Sequence, residues 1–471
     1  MAAYYINGGP ARRGGMAPRG ARERTGRRPV RRAVLSTLAA TAGSGGLVLA
    51  AGSCAGRDGT GAGQGSGSQA PVTLNTFSGW GDPAFWPAQE RINRAFMQRH
   101  PNITIVDNPS RQDYDAKLSA AAAAGTLPDV IKVHGTLIQA QARQGWFVPL
   151  DEYVARTRGF DLGDFIKVAL ELYRVSGKLY ALPYDHGPIL LWYNRDLFDR
   201  AGVRYPSATW TLDDLLEAAR RLTKPGERQW GLSPQFAPSG GTLLQGSMLK
   251  PFGGAVVNDD ESACLIDAPA SIQGLEWWAA LRTRHAVTPR PDEVGEVAGG
   301  IGNVFAAGLT ALHVEGSWVI PTLIQRAGFR WDVADWPAGP KGRATASMGS
   351  GYGITRDSKA RDAAWTYLSE FLGKEKDMLM QELATTGRGS PARKSFWPAF
   401  EKSPGAPPQV GIIAPALEKY SVLGRPISPA ARDINRIINE QLAQVWAGKQ
   451  GVVDAARAAR REIDPVLATN R

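Results

Sequence analysis

Between Val72 and Val133 the chain switches twice from a short apolar strand pattern to a helical one and back, which commits it to a sheet layered with helices. Residues 72–77 read as a strand that stops at Ser78-Gly79. A helical period follows over 84–100 and is closed by Pro101. Residues 103–106 give a second strand, 114–124 a second helix ended by Gly125, and 129–133 a third strand. Strand–helix–strand units of this spacing predict an α/β fold with a largely parallel sheet. Later segments keep the style. Thr211 with Asp214 approximates a capping box for a helix through Leu222. Ile272, Leu275, Trp278 and Leu281 recur at helical spacing, as do Ala360, Ala363, Ala364, Tyr367, Leu368 and Phe371. Two helices, 429–446 and 452–467, finish the chain, and no internal repeat is present.

The segment ahead of this pattern reads as an export leader. Arg31-Arg32 opens an Ala/Leu/Val/Gly run that reaches Ala51 and ends at Ala51-Gly52-Ser53-Cys54. Charged, apolar and small residues in that order describe a signal peptide. The twin arginine looks like a Tat-type signal, and the end resembles a lipobox with Cys54 as the lipidated residue. Ala51 departs from the usual Leu, so an ordinary secreted protein cut nearby is the competing expectation. Translation starts at Met1 or Met16. The leader also holds much of the charge: residues 1–53 contain nine arginines and one acid, Glu23, and the remainder is left close to +3. Without basic stripes, that remainder excludes a nucleic-acid role.

No second apolar run reaches the about 18–20 residues needed to span a bilayer. Residues 55–70 hold six glycines and predict a flexible tether of about 20–24 Å. Past Cys54 only Cys264 remains, read as a buried apolar filler. A body near 400 residues needs no disulfide staples and implies two lobes or domains.

Catalytic motifs are missing. There is no H-E-x-x-H, G-x-S-x-G, phosphate loop or C-x-x-C, and the five histidines never pair at i, i+4. No metal site and no cofactor are expected. A pair of carboxylates could serve a glycosidase, but no spacing picks one out. Fourteen tryptophans point instead to binding. Trp80 and Asp82 follow the first strand, and Glu315-Gly316-Ser317-Trp318 follows the strand 311–314. Loops at the carboxyl ends of strands are where open α/β sheets take ligands, and indole faces beside Asp, Glu or His suit sugars. Trp146, Trp192, Trp277, Trp278, Trp365 and Trp446 read as core. His134 ends the third strand, either as a ligand contact or as a cap for the next turn. Asp185 and His186 precede the dry strand 189–193, where a polar pair needs water or a ligand.

Eight motifs in order resemble the bacterial extracellular solute-binding proteins of family 1, the maltose-binding-like receptors of ABC sugar importers. They begin with Gly125-Thr126-Leu127-Pro128-Asp129-Val130, Gly145-Trp146-Phe147-Val148-Pro149-Leu150-Asp151, Gly177-Lys178-Leu179-Tyr180-Ala181-Leu182-Pro183-Tyr184 and Leu191-Trp192-Tyr193-Asn194-Arg195-Asp196. Next come Thr209-Trp210-Thr211, Phe305-Ala306-Ala307-Gly308 with 311–318, Gly349-Ser350-Gly351-Tyr352-Gly353-Ile354 and Gly387-Arg388-Gly389-Ser390-Pro391. The resemblance covers residues 71–471.

It implies a type II periplasmic-binding-protein-like fold: two lobes joined by a hinge, with ligand in the cleft between them. The expected divisions are a signal peptide at 1–53, the tether at 54–70, an N-lobe of 71–182 plus 340–385, and a C-lobe of 186–337 plus 388–471. Chain crossings are expected near 181–187, 336–347 and 384–391. The implied ligand-binding residues are Trp80, Asp82, His134, Asp185, His186, Phe236, Glu315, Trp318, Ser350, Gly351 and Arg388. At 133–136 the chain has Val-His-Gly-Thr where some maltodextrin receptors carry an aromatic and a charged residue, which speaks against maltodextrin itself. The implied protein is a monomeric lipoprotein on the outer face of the cell membrane. It would capture a sugar or oligosaccharide by lobe closure and deliver it to permease subunits served by a separate ATPase. A secreted carbohydrate-active enzyme, and a receptor for a glycerophosphodiester or phosphorylated polyol, are the alternatives.

Overall fold

In the computed structural model, residues 70–78, 86–108, 114–234, 244–298, 303–373, 389–424 and 426–469 are described. They all lie in one compact unit, Gln69–Arg471. The opening pattern holds: strands β1 (Val72–Phe77), β2 (Ile103–Asp107) and β3 (Val130–His134) alternate with helices Trp86–Arg99 and Tyr114–Ala124. β1 pairs in parallel with β2 and β3. The helices cover the sheet through Ile92, Phe96 and Leu118, all buried.

The sheet is mixed rather than largely parallel. A two-stranded ribbon, β4 (Arg174–Val175) with β5 (Lys178–Leu179), stands apart from it. The main sheet continues through β6 (Leu182–Asn194), β7 (Trp230–Leu232), β8 (Thr310–Gly316), β9 (Trp331–Ala334), β10 (Thr345–Ile354) and β11 (Ser421–Leu423). Its order is β2-β1-β3-β10-β6-β8-β7, with β11 beside β10 and β9 beside β6. β10 is antiparallel to β3 and β6, and β6 is antiparallel to β8 and β9. The antiparallel pairs arise because β6 and β10 are long strands that pass between the two halves of the sheet.

β6 has 13 residues, about 43 Å at the usual rise. Residues 182–188 pair with β10, and from Ile189 onward the partners are β8 and β9. Side chains alternate along the second stretch. Ile189, Leu191 and Tyr193 enter one core with Leu215, Leu249, Trp278 and Ile438. Leu190 and Trp192 face a second core, which runs from β1–β3 to Val319, Leu323, Phe396 and Phe400. One strand thus serves both cores through its period of two.

Local signals behave as the sequence predicts. The helix Leu212–Arg221 has its capping box: the Asp214 amide donates to Thr211 Oγ1 at 3.3 Å, and the Thr211 amide donates to Asp214 Oδ2 at 2.8 Å. The last helices are Ala431–Trp446 and Val452–Thr469, packed on each other and on Pro269–Thr283. Cys264 is buried, and burial pushes its thiol up to about 12, so it stays protonated. Trp146, Trp192, Trp278, Trp365 and Trp446 are core residues. Trp277 is not: it is only half buried.

Candidate functional site

Three neighbouring strands set a row of polar residues across the sheet. Ser350 of β10 pairs with His134 of β3 on one side and with Asp185 of β6 on the other. The register of β10 on β6 shifts between Ser350 and Gly351, a bulge that re-aims the side chains beside it. Asp185 Oδ1 accepts from the Ser350 amide at 2.6 Å and from its hydroxyl at 2.7 Å. Oδ2 accepts no hydrogen bond among the described residues and lies 3.8 Å from where a Gly389 side chain would begin.

His134 caps the turn that follows it. Its Nδ1 accepts from the Thr136 amide at 3.3 Å and lies 2.7 Å from Thr136 Oγ1. Burial, reinforced by the Lys132 ammonium, holds the imidazole well below its usual range. The ring is therefore neutral with its proton on Nε2, a hydrogen-bond donor.

Glycines let this row close up. A methyl group at Gly349 would sit 1.9 Å from the Asp185 carbonyl oxygen, and one at Gly351 would sit 2.9 Å from two Tyr173 ring carbons. Tyr173 is fully buried, and its hydroxyl has no hydrogen-bond partner among the described residues. Burial first, then the charge of Asp185, raises its phenol far above 10. Sequence reasoning missed Tyr173, because nothing in Leu172-Tyr173 separates it from ordinary core.

The other half of the sheet supplies a carboxylate and an indole. Glu315 is the last but one residue of β8, and its Oε1 accepts from the Gly316 amide at 3.1 Å. Burial raises its carboxyl to about 7, opposed in part by hydrogen bonds from the Gly316 amide and the Trp318 side chain. The Trp318 ring lies where a Gly316 side chain would begin, 2.2 Å from that position. Any other residue at 316 would displace the ring. The turn reaches the polar row at Gly389, whose φ is +106° and whose side-chain position is 4.0 Å from Trp318 Cα.

A buried clasp underlies this meeting point. Ser317 Oγ and Ser390 Oγ are 2.9 Å apart, the Ser390 amide donates to Ser317 Oγ at 3.0 Å, and Ser390 Oγ donates to the His186 carbonyl at 2.6 Å. Gly187 leaves room for both hydroxyls. His186 is fully buried, its ring nitrogens have no partner among the described residues, and burial lowers its imidazole to about 3.

The structure therefore brings together His134, Ser350, Gly351 and Asp185 by strand register, and Glu315 and Trp318 by one turn. His186 lies in the clasp, its ring shut off from solvent. Trp80, Asp82, Phe236 and Arg388 lie outside the described residues, as do Arg31, Arg32 and Cys54. Among the described residues, no group of three His, Cys, Asp or Glu side chains is placed to hold a metal ion. No described helix is long and apolar enough to cross a membrane.

This architecture is similar to solved structures. An ABC substrate-binding protein from Listeria monocytogenes in complex with cycloalternan superposes with a TM-score of 0.75 at 24% identity, over 84% of this chain and 99% of that one. The GacH receptor of Streptomyces glaucescens, solved unliganded and with acarbose, superposes with a TM-score of 0.70 at 23% identity, over 86% and 100%. Among curated sequences, the lactose-binding protein of Rhizobium radiobacter is 24% identical over 343 residues, covering 68% of this chain and 76% of that protein. The fold is the two-lobed periplasmic-binding-protein type, as the sequence motifs implied. The family model described as bacterial extracellular solute-binding protein matches residues 82–378, more than half the chain, and the protein belongs to that family.

Proposed function

We propose that the protein is the sugar receptor of an ABC importer, exported and tethered through Cys54, and that it performs no catalysis. The observation that carries this reading is the meeting at Gly389. There Asp185, at the end of the row, and Trp318, on the turn after β8, both approach one position, 3.8 Å and 4.0 Å from where a Gly389 side chain would begin. Each half offers only part of a site: an N–H donor and a carboxylate oxygen on one side, an indole face and a carboxyl group on the other. A sugar needs both kinds of contact, apolar for its C–H faces and directional for its hydroxyls. The lactose-binding relative supports the same solute class.

The proposed lobes are 71–182 with 340–385 and 186–337 with 388–471. They rotate about the crossing near 181–187, where β6 passes from one set of partners to the other. A solute preferring the closed form by about 10⁴-fold, or about 5.5 kcal/mol, moves a 1:99 closed-to-open mixture to 99:1. The permease then reads the closed form, with its ATPase on separate chains. Residues 1–53 serve as the Tat-type signal and 54–70 as the tether.

Calorimetry with lactose, raffinose, maltotriose and mannitol tests the proposal. At least one of them is expected to bind, more weakly to Asp185→Ala and Trp318→Ala. Silence toward all four, with binding of a glycerophosphodiester, would replace the sugar by a charged solute. Steady hydrolysis of a labelled oligosaccharide, lost in Glu315→Gln, would replace the receptor by an enzyme. Cys54→Ser should release the protein from the membrane fraction, and its retention there would contradict the lipid anchor.

A further inference from the structure

The helix Pro269–Thr283 carries two adjacent tryptophans that face different surroundings. Trp278 is fully buried and stacks on Trp336, with ring centroids 5.8 Å apart and planes at 20°. Trp277 is half buried, edge-on to Trp278 at 4.9 Å and tilted against Phe252 at 6.2 Å. It sits in the helix's polar stripe, with Glu276 beside it, Gln273 four residues before it and Arg284 seven after it. A stripe of that kind normally faces bulk water. Here it lines an open groove of about 1040 Å³, faced by residues 211–213, 338–340, 445 and 448–452. Part of that far wall is bare backbone. Gly339 packs so tightly that a methyl group there would sit 2.5 Å from the Pro251 carbonyl oxygen, and Gly448 turns at φ +70°. None of the lining residues belongs to the row at the crossing or to the Glu315–Trp318 turn.

We infer that this groove is a second ligand site and that it holds a neutral saccharide of more than one ring. An indole set among amide and carboxylate groups offers a face for sugar C–H groups, with hydroxyl partners around it. The charged side chains in the lining cancel, Asp213 and Glu276 against Arg284 and Lys449, so the site favours neither anion nor cation. Its volume stands at the top of the roughly 300–1,000 Å³ range of small-molecule sites, which a single ring would leave mostly empty. The inference is independent of the solute bound at the crossing.

Calorimetry and saturation-transfer NMR on the whole protein test it, with maltotriose and raffinose as probes. Wild type should show a binding event that Trp277→Ala weakens at least tenfold, that Trp277→Phe largely retains, and that Trp318→Ala leaves alone. The Phe variant separates a lost stacking face from a damaged fold. An isotherm indifferent to Trp277→Ala, or no binding of either probe, would overturn the second site. A single binding event that responds to Trp277→Ala, with no second event responding to Trp318→Ala for any sugar tried, would keep the groove and remove the crossing as the sugar site.

Discussion

His134, Ser350 and Asp185 stand on three neighbouring strands, fixed by ladder register and by hydrogen bonds to Ser350 and Thr136. Glu315 is the last but one residue of β8, paired with Leu190 of β6, and Trp318 stands on the turn that follows; burial holds the carboxyl group up to about 7, and the indole rests against Gly316. The first set is part of the frame, so altering it disturbs folding along with the site. The second set acts through side chains that carry no strand pairing, so truncating them changes affinity and pH response while the core stays intact. A receptor that closes on its solute needs both: one wall organised in advance and one that completes the grip.

Substitutions on each side test this difference. Gly349→Val puts a side chain into the Asp185 carbonyl, against backbone that cannot yield. It should cost more than about 4 kcal/mol, at the severe end for single substitutions, and denaturant unfolding would show it. A loss below 1 kcal/mol would mean that the crossing is loosely packed. Asp185→Ala leaves the Ser350 amide and hydroxyl without their acceptor and should cost about 2–3 kcal/mol of stability as well as affinity. Trp318→Ala should weaken sugar binding by about 1–3 kcal/mol, as loss of a stacked aromatic does, with stability nearly unchanged. If it unfolded the protein instead, the turn would belong to the frame.

The smallest expected effect concerns pH. Glu315 has a folded pKa near 7, raised from 4.5, so the folded state keeps a proton that the unfolded state has released in that window. Stability from this group is full below pH 4.5 and is lost as pH rises through 7. Glu315→Gln should remove that slope and make the protein more stable than wild type at pH 8. An unchanged pH profile of unfolding would show that the carboxyl is well solvated.

The legible parts of the fold were those whose signal is local. The strand and helix pattern over 72–133 and the capping box at Thr211 depend on residues a few positions apart, and they form as read. β10 carries Gly349, Gly351 and Gly353, which weaken strand propensity. It is a strand because β3 and β6 flank it and because only glycine fits beside the Asp185 carbonyl and the Tyr173 and Phe147 rings. The first stretch of β6 carries Pro183 and Pro188, which argue against a strand. Pro188 is accommodated where β6 exchanges one set of partners for another, and Pro183 beside the register shift between Ser350 and Gly351. His134, Ser350 and Asp185 could be named from the family resemblance, but their adjacency comes from strand register across residues far apart in the chain. Trp277 read as core because Leu275, Trp278, Ala279 and Ala280 surround it in sequence, whereas the groove beside it is formed by segments near 211, 339 and 450.

Small-angle scattering of the protein with and without a saturating sugar that calorimetry shows to bind addresses the two-walled grip most directly. Closure of one half onto the other predicts a smaller radius of gyration on binding in wild type, and less compaction at matched saturation in Trp318→Ala. Full occupancy with an unchanged scattering profile would contradict it.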